Sequence, residues 1–434
     1  MIRMSRCRPA WLLAAGLTIL VPAHARASGY SIFEQGAQAL GRGGAVTASA
    51  NNAEAVFFNP ANLVWLDRGA FSLNPTLLSP VTSFAGHNPY PGFGTVEAMK
   101  KQNFPTLPAY VGYRFAERCA GGIGVAFPFG LGVEWDDPDQ FSGRYIVTKA
   151  ELQSAQVLGV VAYAPRPNLS LAAGGAMAMS KVELQRRRLA TAPGGGGAQV
   201  DVAKVGLESD FTPGFGWNAA ATWKLDPKWT WAATYRSKIV THMEGDATFQ
   251  QVLTGNSTFD AGVAAQLPPN QKVKTVIRFP AMWSTGFAWT PTDRWTVEAD
   301  LNFFEWSVFK DLPLHFQTTS SANSAIAENY DDAFQVRVGA EHRLDRYTYR
   351  VGYYYDEAAA PDESMSPLLP DSGRNGVTLG LGFPFGKDGR WSLDLYELAV
   401  FVQHRGTEGV NRDGFNGEYK SYVNAAGLGL NYRW

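Results

Sequence analysis

The sequence predicts an all-β protein: a 14-stranded antiparallel transmembrane β-barrel with an N-terminal hatch, or plug, inside the lumen. Three observations carry this. Side chains alternate apolar and polar through segment after segment from Arg68 onward. Short turns and long polar loops alternate along the chain. The last segment also alternates and ends on an aromatic residue.

The N-terminus sets the compartment. Arg3, Arg6 and Arg8 precede an apolar run from Trp11 to Val21, and Ala25-Arg26-Ala27 follows with small residues at the two positions a signal peptidase reads. The pattern predicts a signal peptide over 1–27, with Ser28 as the mature N-terminus. A membrane anchor is the weaker reading, because the run falls short of the ~20 residues a spanning helix needs. No later segment offers such a run. Cys7 leaves with the signal, so Cys119 alone has no disulfide partner.

Residues 28–68 alternate little and are rich in Ala, Gly and Asn. They still carry Phe33, Val56, Phe57, Phe58, Leu63, Val64 and Trp65, too many apolar side chains for lasting disorder. A plug would bury them. The remaining 69–434 reads as the barrel. Trp295, Val297, Ala299, Leu301 and Phe303 alternate with Thr296, Glu298, Asp300 and Asn302. Phe334, Val336, Val338 and Ala340 alternate with Gln335, Arg337, Gly339 and Glu341, and the 347–356 segment behaves alike. Period two gives each strand one apolar and one polar face.

Connections separate a membrane barrel from a soluble sandwich. Short turns fall at Glu117–Gly121, Pro165–Asn168, Leu225–Lys228, Thr290–Arg294, Leu344–Arg346 and Gly386–Arg390. Longer loops fall near 81–103, 131–143, 185–199, 249–271, 310–330, 358–372 and 405–417. Short periplasmic turns and long external loops are the outer-membrane pattern. Tyr422, Ala426, Leu428, Leu430, Tyr432 and Trp434 close the chain at period two.

Charge and motifs exclude other classes. With 38 basic and 39 acidic side chains there is no basic excess for nucleic acid. No Gly-Xaa-Ser-Xaa-Gly elbow and no His-Glu-Xaa-Xaa-His zinc motif occurs, and the six His are scattered. Gly41-Arg42-Gly43-Gly44 lacks the Lys-Ser/Thr of a phosphate-binding loop. No catalytic residue, metal ligand or cofactor is expected, and the chain does not read as an enzyme.

An ordered set of motifs resembles the FadL/TodX family of outer-membrane transporters for long-chain fatty acids and aromatic hydrocarbons. Ser28-Gly29-Tyr30, Ala39 to Gly44 and Phe57-Phe58-Asn59-Pro60-Ala61-Asn62-Leu63 look like that family's hatch. Further on, Phe127-Pro128-Phe129-Gly130-Leu131, Gly143-Arg144-Tyr145, Trp289 to Trp295 and Pro361 to Gly376 look similar. The resemblance spans Ser28 to Trp434. It implies a plugged fourteen-stranded barrel that captures hydrophobic molecules at the extracellular mouth and releases them sideways into the membrane.

Site expectations follow. Asn59, Pro60 and Ala61 form the hatch motif, expected near the binding cavity; by residues alone Asn-Pro reads as a turn. Pro128 and Gly130 mark either a kink in strand three that opens the wall or the end of that strand. Phe57, Phe58, Phe127, Phe129 and Leu131 are candidate ligand lining, and Trp135 is either lining or an interface anchor. Arg144 and Lys149 are candidate partners for a ligand carboxylate. Counting across strands puts Asp300 near Arg337 as a lumenal ion pair, and counting from the 344–346 turn puts Arg337 near Arg350. Expected partners are a hydrophobic small-molecule ligand, outer-membrane lipid and lipopolysaccharide, and the barrel-assembly machinery, with a monomeric barrel. The competing reading is a general diffusion porin or surface adhesin.

Overall fold

The structure, a computed structural model, describes residues 29–194, 197–407 and 409–434. The expected signal peptide and Ser28 lie outside the described residues. Fourteen barrel strands follow one another in chain order. Strand β1 comprises Gly69–Leu73 and Thr76–Gly86, β2 Phe104–Thr106 and Ala109–Ala116, β3 Cys119–Ala126 and Gly130–Glu134, β4 Lys149–Arg166, and β5 Leu169–Thr191. Strand β6 comprises Gln199–Ser209 and Thr212–Lys224, β7 Trp229–Arg236 and Ile239–Gln251, β8 Gln271–Phe279 and Met282–Thr292, and β9 Trp295–Phe304 with its extension Asp311–Phe316. Strands β10 (Ala333–Arg343), β11 (Thr348–Asp356), β12 (Arg374–Phe385), β13 (Trp391–Val402) and β14 (Gly417–Arg433) complete the sheet. Neighbours pair antiparallel, and β14 closes on β1 with Ala70 opposite Arg433 and Val81 opposite Tyr422. The fold class and strand number match the sequence reading.

The outward face is apolar where lipid would contact it. Val157, Val161, Leu171, Phe287, Val336, Val338 and Leu379 are all exposed on the barrel wall. Near the short turns an aromatic girdle runs round the barrel: Trp229 stacks on Trp289 at 5.9 Å, Trp295 on His342 at 4.2 Å, and Trp391 meets Tyr432 at 4.5 Å.

One predicted loop is mostly strand. Residues 185–191 continue β5 and 199–209 open β6, pairing from Gln199 opposite Thr191 to Glu208 opposite Glu183. The outward residues here are charged, with Lys181 bonded to Glu208 and Lys149 to Glu183 at 2.7 Å. The strands outlast the membrane, so loss of the apolar face marks the membrane edge and not the strand end. The hairpin joining β10 to β11 sets Arg343 opposite Thr348, which places Tyr354 and not Arg350 opposite Arg337. Arg350 faces Glu341.

Residues 29–68 fill the lumen with short helices, Ala37–Gly41, Ala55–Phe58 and Pro60–Trp65. The apolar side chains noted in the sequence are buried: Phe33, Val56, Phe57, Phe58, Leu63 and Val64. The plug meets two unlike walls. Toward β9–β13 its backbone is held by polar side chains. Toward β3–β8 it packs on apolar ones, including Leu158, Ile239 and Phe279. Gly43 and Gly44 take positive φ (66° and 76°), and the turn rests directly on the wall at Gly339 and Gly352. A Cβ at Gly352 would come within 2.1 Å of the Gly43 nitrogen, so glycine is needed on both sides.

Candidate functional site

Strand β3 breaks at Phe127-Pro128-Phe129 and resumes at Gly130. Proline lacks the N–H that a ladder needs, so pairing fails where Pro128 sits. Pro128 therefore interrupts the strand and does not end it. Toward β4 only the register slips, from Ala126 opposite Gln156 to Gly130 opposite Gln153. Toward β2 the consequence is larger. Pairing holds up to Ala109 opposite Val125, and resumes only where Met99 bridges Trp135. Between them, residues 101–108 and 126–133 form no backbone hydrogen bond to each other among the described residues. At ~3.3 Å per residue this window runs roughly 25 Å along the wall. The Phe104 ring lies across it against Gly132, where any side chain would collide with the ring.

The window has a definite height. Outward residues of β4 run Lys149, Glu151, Gln153, then Ala155, Val157, Gly159 and Val161. Gly132 lies opposite Glu151 and Val125 opposite Val157. The window thus straddles the outer margin of the lipid-facing band. A cavity of about 720 Å³ passes through it, lined inside by Phe129, Leu131, Arg337, Tyr354 and Val423 and outside by Phe104, Glu151, Gln153 and Phe211.

The start of the plug covers the kink from within. The Ile32 N–H donates to the Pro128 carbonyl at 2.8 Å, the Gly130 N–H donates to the Tyr30 carbonyl at 3.1 Å, and Ser31 bridges Phe129. Gln35 completes the patch: its Nε2 donates to the Phe127 carbonyl at 2.9 Å and its Oε1 accepts from the Phe127 N–H at 2.8 Å. A side-chain amide here stands in for the missing strand neighbour. Sequence reasoning missed Gln35, since one Gln in a Phe-Glu-Gln-Gly run carries no signal.

The predicted residues separate into three groups. Phe127, Phe129, Leu131 and Gly130 line the large cavity. Phe57 lines only a small chamber behind the plug, while Phe58 packs on Phe33 and Phe57 inside the plug, at 5.5 and 5.1 Å, and lines neither. Trp135 is neither lining nor interface anchor: it is fully buried and stacked on Phe141 at 3.9 Å. Asn59, Pro60 and Ala61 lie away from the large cavity. Asn59 Nδ2 donates to the Thr47 carbonyl at 2.6 Å and to Thr222 Oγ1 on β6 at 2.7 Å, and its Oδ1 accepts from the Ala61 N–H. The motif ties the plug to itself and to the wall.

The charges are reassigned. Asp300 and Arg337 do sit opposite one another on β9 and β10. They form no ion pair; each binds the plug instead. Arg144 is held by Asp201 at 2.8 Å, and Lys149 by Glu183 at 2.7 Å and Glu151 at 3.5 Å, so neither is free for a ligand carboxylate. Free cations lie nearby. A second cavity of about 1100 Å³ at the mouth is lined by Arg186, Arg188, Leu207, Phe249 and Phe316. Arg186 and Arg188 have no ion pair among the described residues, whereas Arg187 binds Asp139.

The barrel has counterparts among known proteins. Residues 18–434 match the outer membrane protein transport protein (OMPP1/FadL/TodX) family. The chain belongs to that family. The long-chain fatty acid transport protein of Escherichia coli K12 is 22% identical over 446 residues, covering 95% of this chain and 96% of that one. The 47 kDa outer membrane protein of Pasteurella multocida is 26% identical over 442 residues, covering 98% of each. Among solved structures, a Pseudomonas aeruginosa FadL homologue superposes with a TM-score of 0.82 at 21% identity, covering 94% of this chain and all of that one. The Pseudomonas putida toluene transporter TodX gives 0.72 at 17% identity, covering 93% and 99%. This OMPP1/FadL/TodX member is accordingly an outer-membrane β-barrel.

Proposed function

We propose that this chain carries hydrophobic small molecules, long-chain fatty acids or related hydrocarbons, across the outer membrane. Capture occurs at the extracellular mouth and release is sideways, through the β2–β3 window, gated by the plug. The observation that carries the reading is the continuous cavity from lumen to lipid-facing surface past Phe129 and Phe104. An apolar solute following it need not enter bulk water, whose exclusion of apolar surface is worth about 25 cal/mol per Å².

The steps divide among the residues. The mouth cavity offers apolar walls at Leu207, Phe249 and Phe316 and unpaired guanidinium groups at Arg186 and Arg188. That combination suits a ligand with a chain and a carboxylate. The Tyr30–Gln35 segment lies between the lumen and the window and closes the kink through exchangeable hydrogen bonds. Its movement frees Phe127 and Gly130 and widens the route. The window rim is apolar below and charged above, so a carboxylate can stay at the interface while its chain enters the lipid. A diffusion porin would need an open aqueous lumen, and here the plug fills it.

Uptake by a deletion strain expressing this chain, with labelled oleate compared against labelled toluene, tests the reading. Faster accumulation of either over the empty-vector strain is expected, with oleate favoured. Equal rates with and without the protein for both would overturn it, as would a large steady conductance in planar bilayers.

A further inference from the structure

Behind the plug segment that covers the kink lies a third, small chamber of about 40 Å³, walled mainly by Ile32, Phe57, Phe129, Ile239, Phe279 and Phe304. Arg236, the last residue before the break in β7, lines it. Its guanidinium donates to the Phe57 carbonyl and lies 4.1 Å over the Phe57 ring, with Met282 Sδ at 3.8 Å. No carboxylate pairs with it among the described residues. A cation against an apolar chamber without a counter-ion is costly, and the cost falls if an anion arrives. Asn218, its partner across β6, also lines the chamber, and its buried side-chain oxygen has no hydrogen-bond partner. Turning that amide end for end puts an NH2 donor in place of the oxygen.

We infer that this chamber is a transit site for a hydrophobic monocarboxylate, with Arg236 and Asn218 receiving the carboxylate. The inference rests on the transport reading above and adds a second binding position to it. In the closed form the chamber holds no more than a water or two. Ser31–Phe33 and Phe129 lie between it and the large cavity and line both. Displacing that segment joins the two volumes and lets a chain held at Arg236 extend toward the window.

The test uses the full barrel in detergent with two photoreactive probes. One is an eighteen-carbon fatty acid with a diazirine beside the carboxylate; the other is the matching alcohol. Adducts are mapped by mass spectrometry. The acid is expected to label Met282 and Ile239 as well as the large cavity, and the alcohol only the large cavity. Arg236→Met is expected to cut chamber labelling by the acid about tenfold, with Arg236→Lys restoring much of it. Heat-modifiable migration verifies that each variant is a folded barrel, and the comparison of acid with alcohol in the unmodified barrel carries the test if the methionine variant is not. Labelling of the large cavity alone, or equal chamber labelling by acid and alcohol, overturns this inference and leaves the transport reading standing. No labelling in either place overturns both.

Discussion

Asp300 and Arg337 lie directly opposite each other on adjacent strands, yet neither satisfies the other. Asp300 Oδ2 accepts from the Val46 N–H at 2.9 Å, the Thr47 N–H at 3.0 Å and the Thr47 hydroxyl at 2.8 Å. Arg337 donates to the Gly43 carbonyl and to Gln335 Oε1, and its guanidinium lies 3.8 Å over the Phe33 ring. Each charge is spent on orphan peptide groups of the plug. Glu298 extends the clamp by accepting from Ala48 and Ser49.

Asp300→Ala should therefore loosen 44–50 more than the barrel. Hydrogen bonds to charged groups contribute about 1.5–3 kcal/mol each. Losing this set is expected to speed amide exchange at Val46 and Thr47 by at least about tenfold, which corresponds to 1.4 kcal/mol. Unchanged exchange there would show that the clamp does not hold the plug.

Gln35→Leu keeps the size of the side chain and removes both bonds to Phe127. Exchange at the Phe127 amide should rise about fivefold or more, and ligand uptake at low concentration should quicken, because the closed kink loses its support. Slower uptake would mean that Gln35 serves the open form.

Asn59→Ala should act on the anchor and not on ligand choice. It strips the partner from the buried Thr47 carbonyl, at about 1–3 kcal/mol for a group left unsatisfied, and one of two from the Thr222 hydroxyl, which still donates to Asn62 Oδ1. Brief conductance openings in planar bilayers are expected, with the oleate-to-toluene preference unchanged. A changed preference would return the motif to the binding site.

The loop near 310–330 carries a pH dependence. Glu328 is buried beside Tyr330, and burial pushes its carboxyl from 4.5 up to about 8, with Arg412 opposing and Asp413 reinforcing the rise. The folded loop keeps a proton that the unfolded chain has lost, so its stability is full below pH 4.5 and falls as pH climbs through about 8. Amide exchange of 326–330 should accelerate from pH 6 to 9 beyond the intrinsic base catalysis, and Glu328→Gln should flatten the excess. An unchanged slope in that variant would contradict it.

The barrel was legible because a membrane forces period two on every spanning segment and sorts connections by side. Legibility ended where the membrane does: the charged run Arg186, Arg187 and Arg188 looks like loop although it lies in a strand. The kink was visible because Pro128 breaks a ladder wherever it occurs. The partners of Asp300 and Arg337 were not, since lumenal charges meet a plug some 250 positions away in the chain, and spacing within strands says nothing of it. Gln35 was hidden for the same reason. Arg144 and Lys149 were well placed by loop position, but only the folded register reveals Asp201 and Glu183 beside them.

The central claim is that cargo leaves through the window between β2 and β3. Phe104→Cys and Gly132→Cys, with Cys119→Ser to remove the background thiol, place one thiol on each side of it. A short bismaleimide can then tie the gap shut, and oleate uptake is measured in the same cells before and after. Uptake falling about tenfold on cross-linking, with ligand binding to the purified barrel retained, is the result this account predicts. Uptake unchanged in fully cross-linked protein would contradict it and send the cargo by another route.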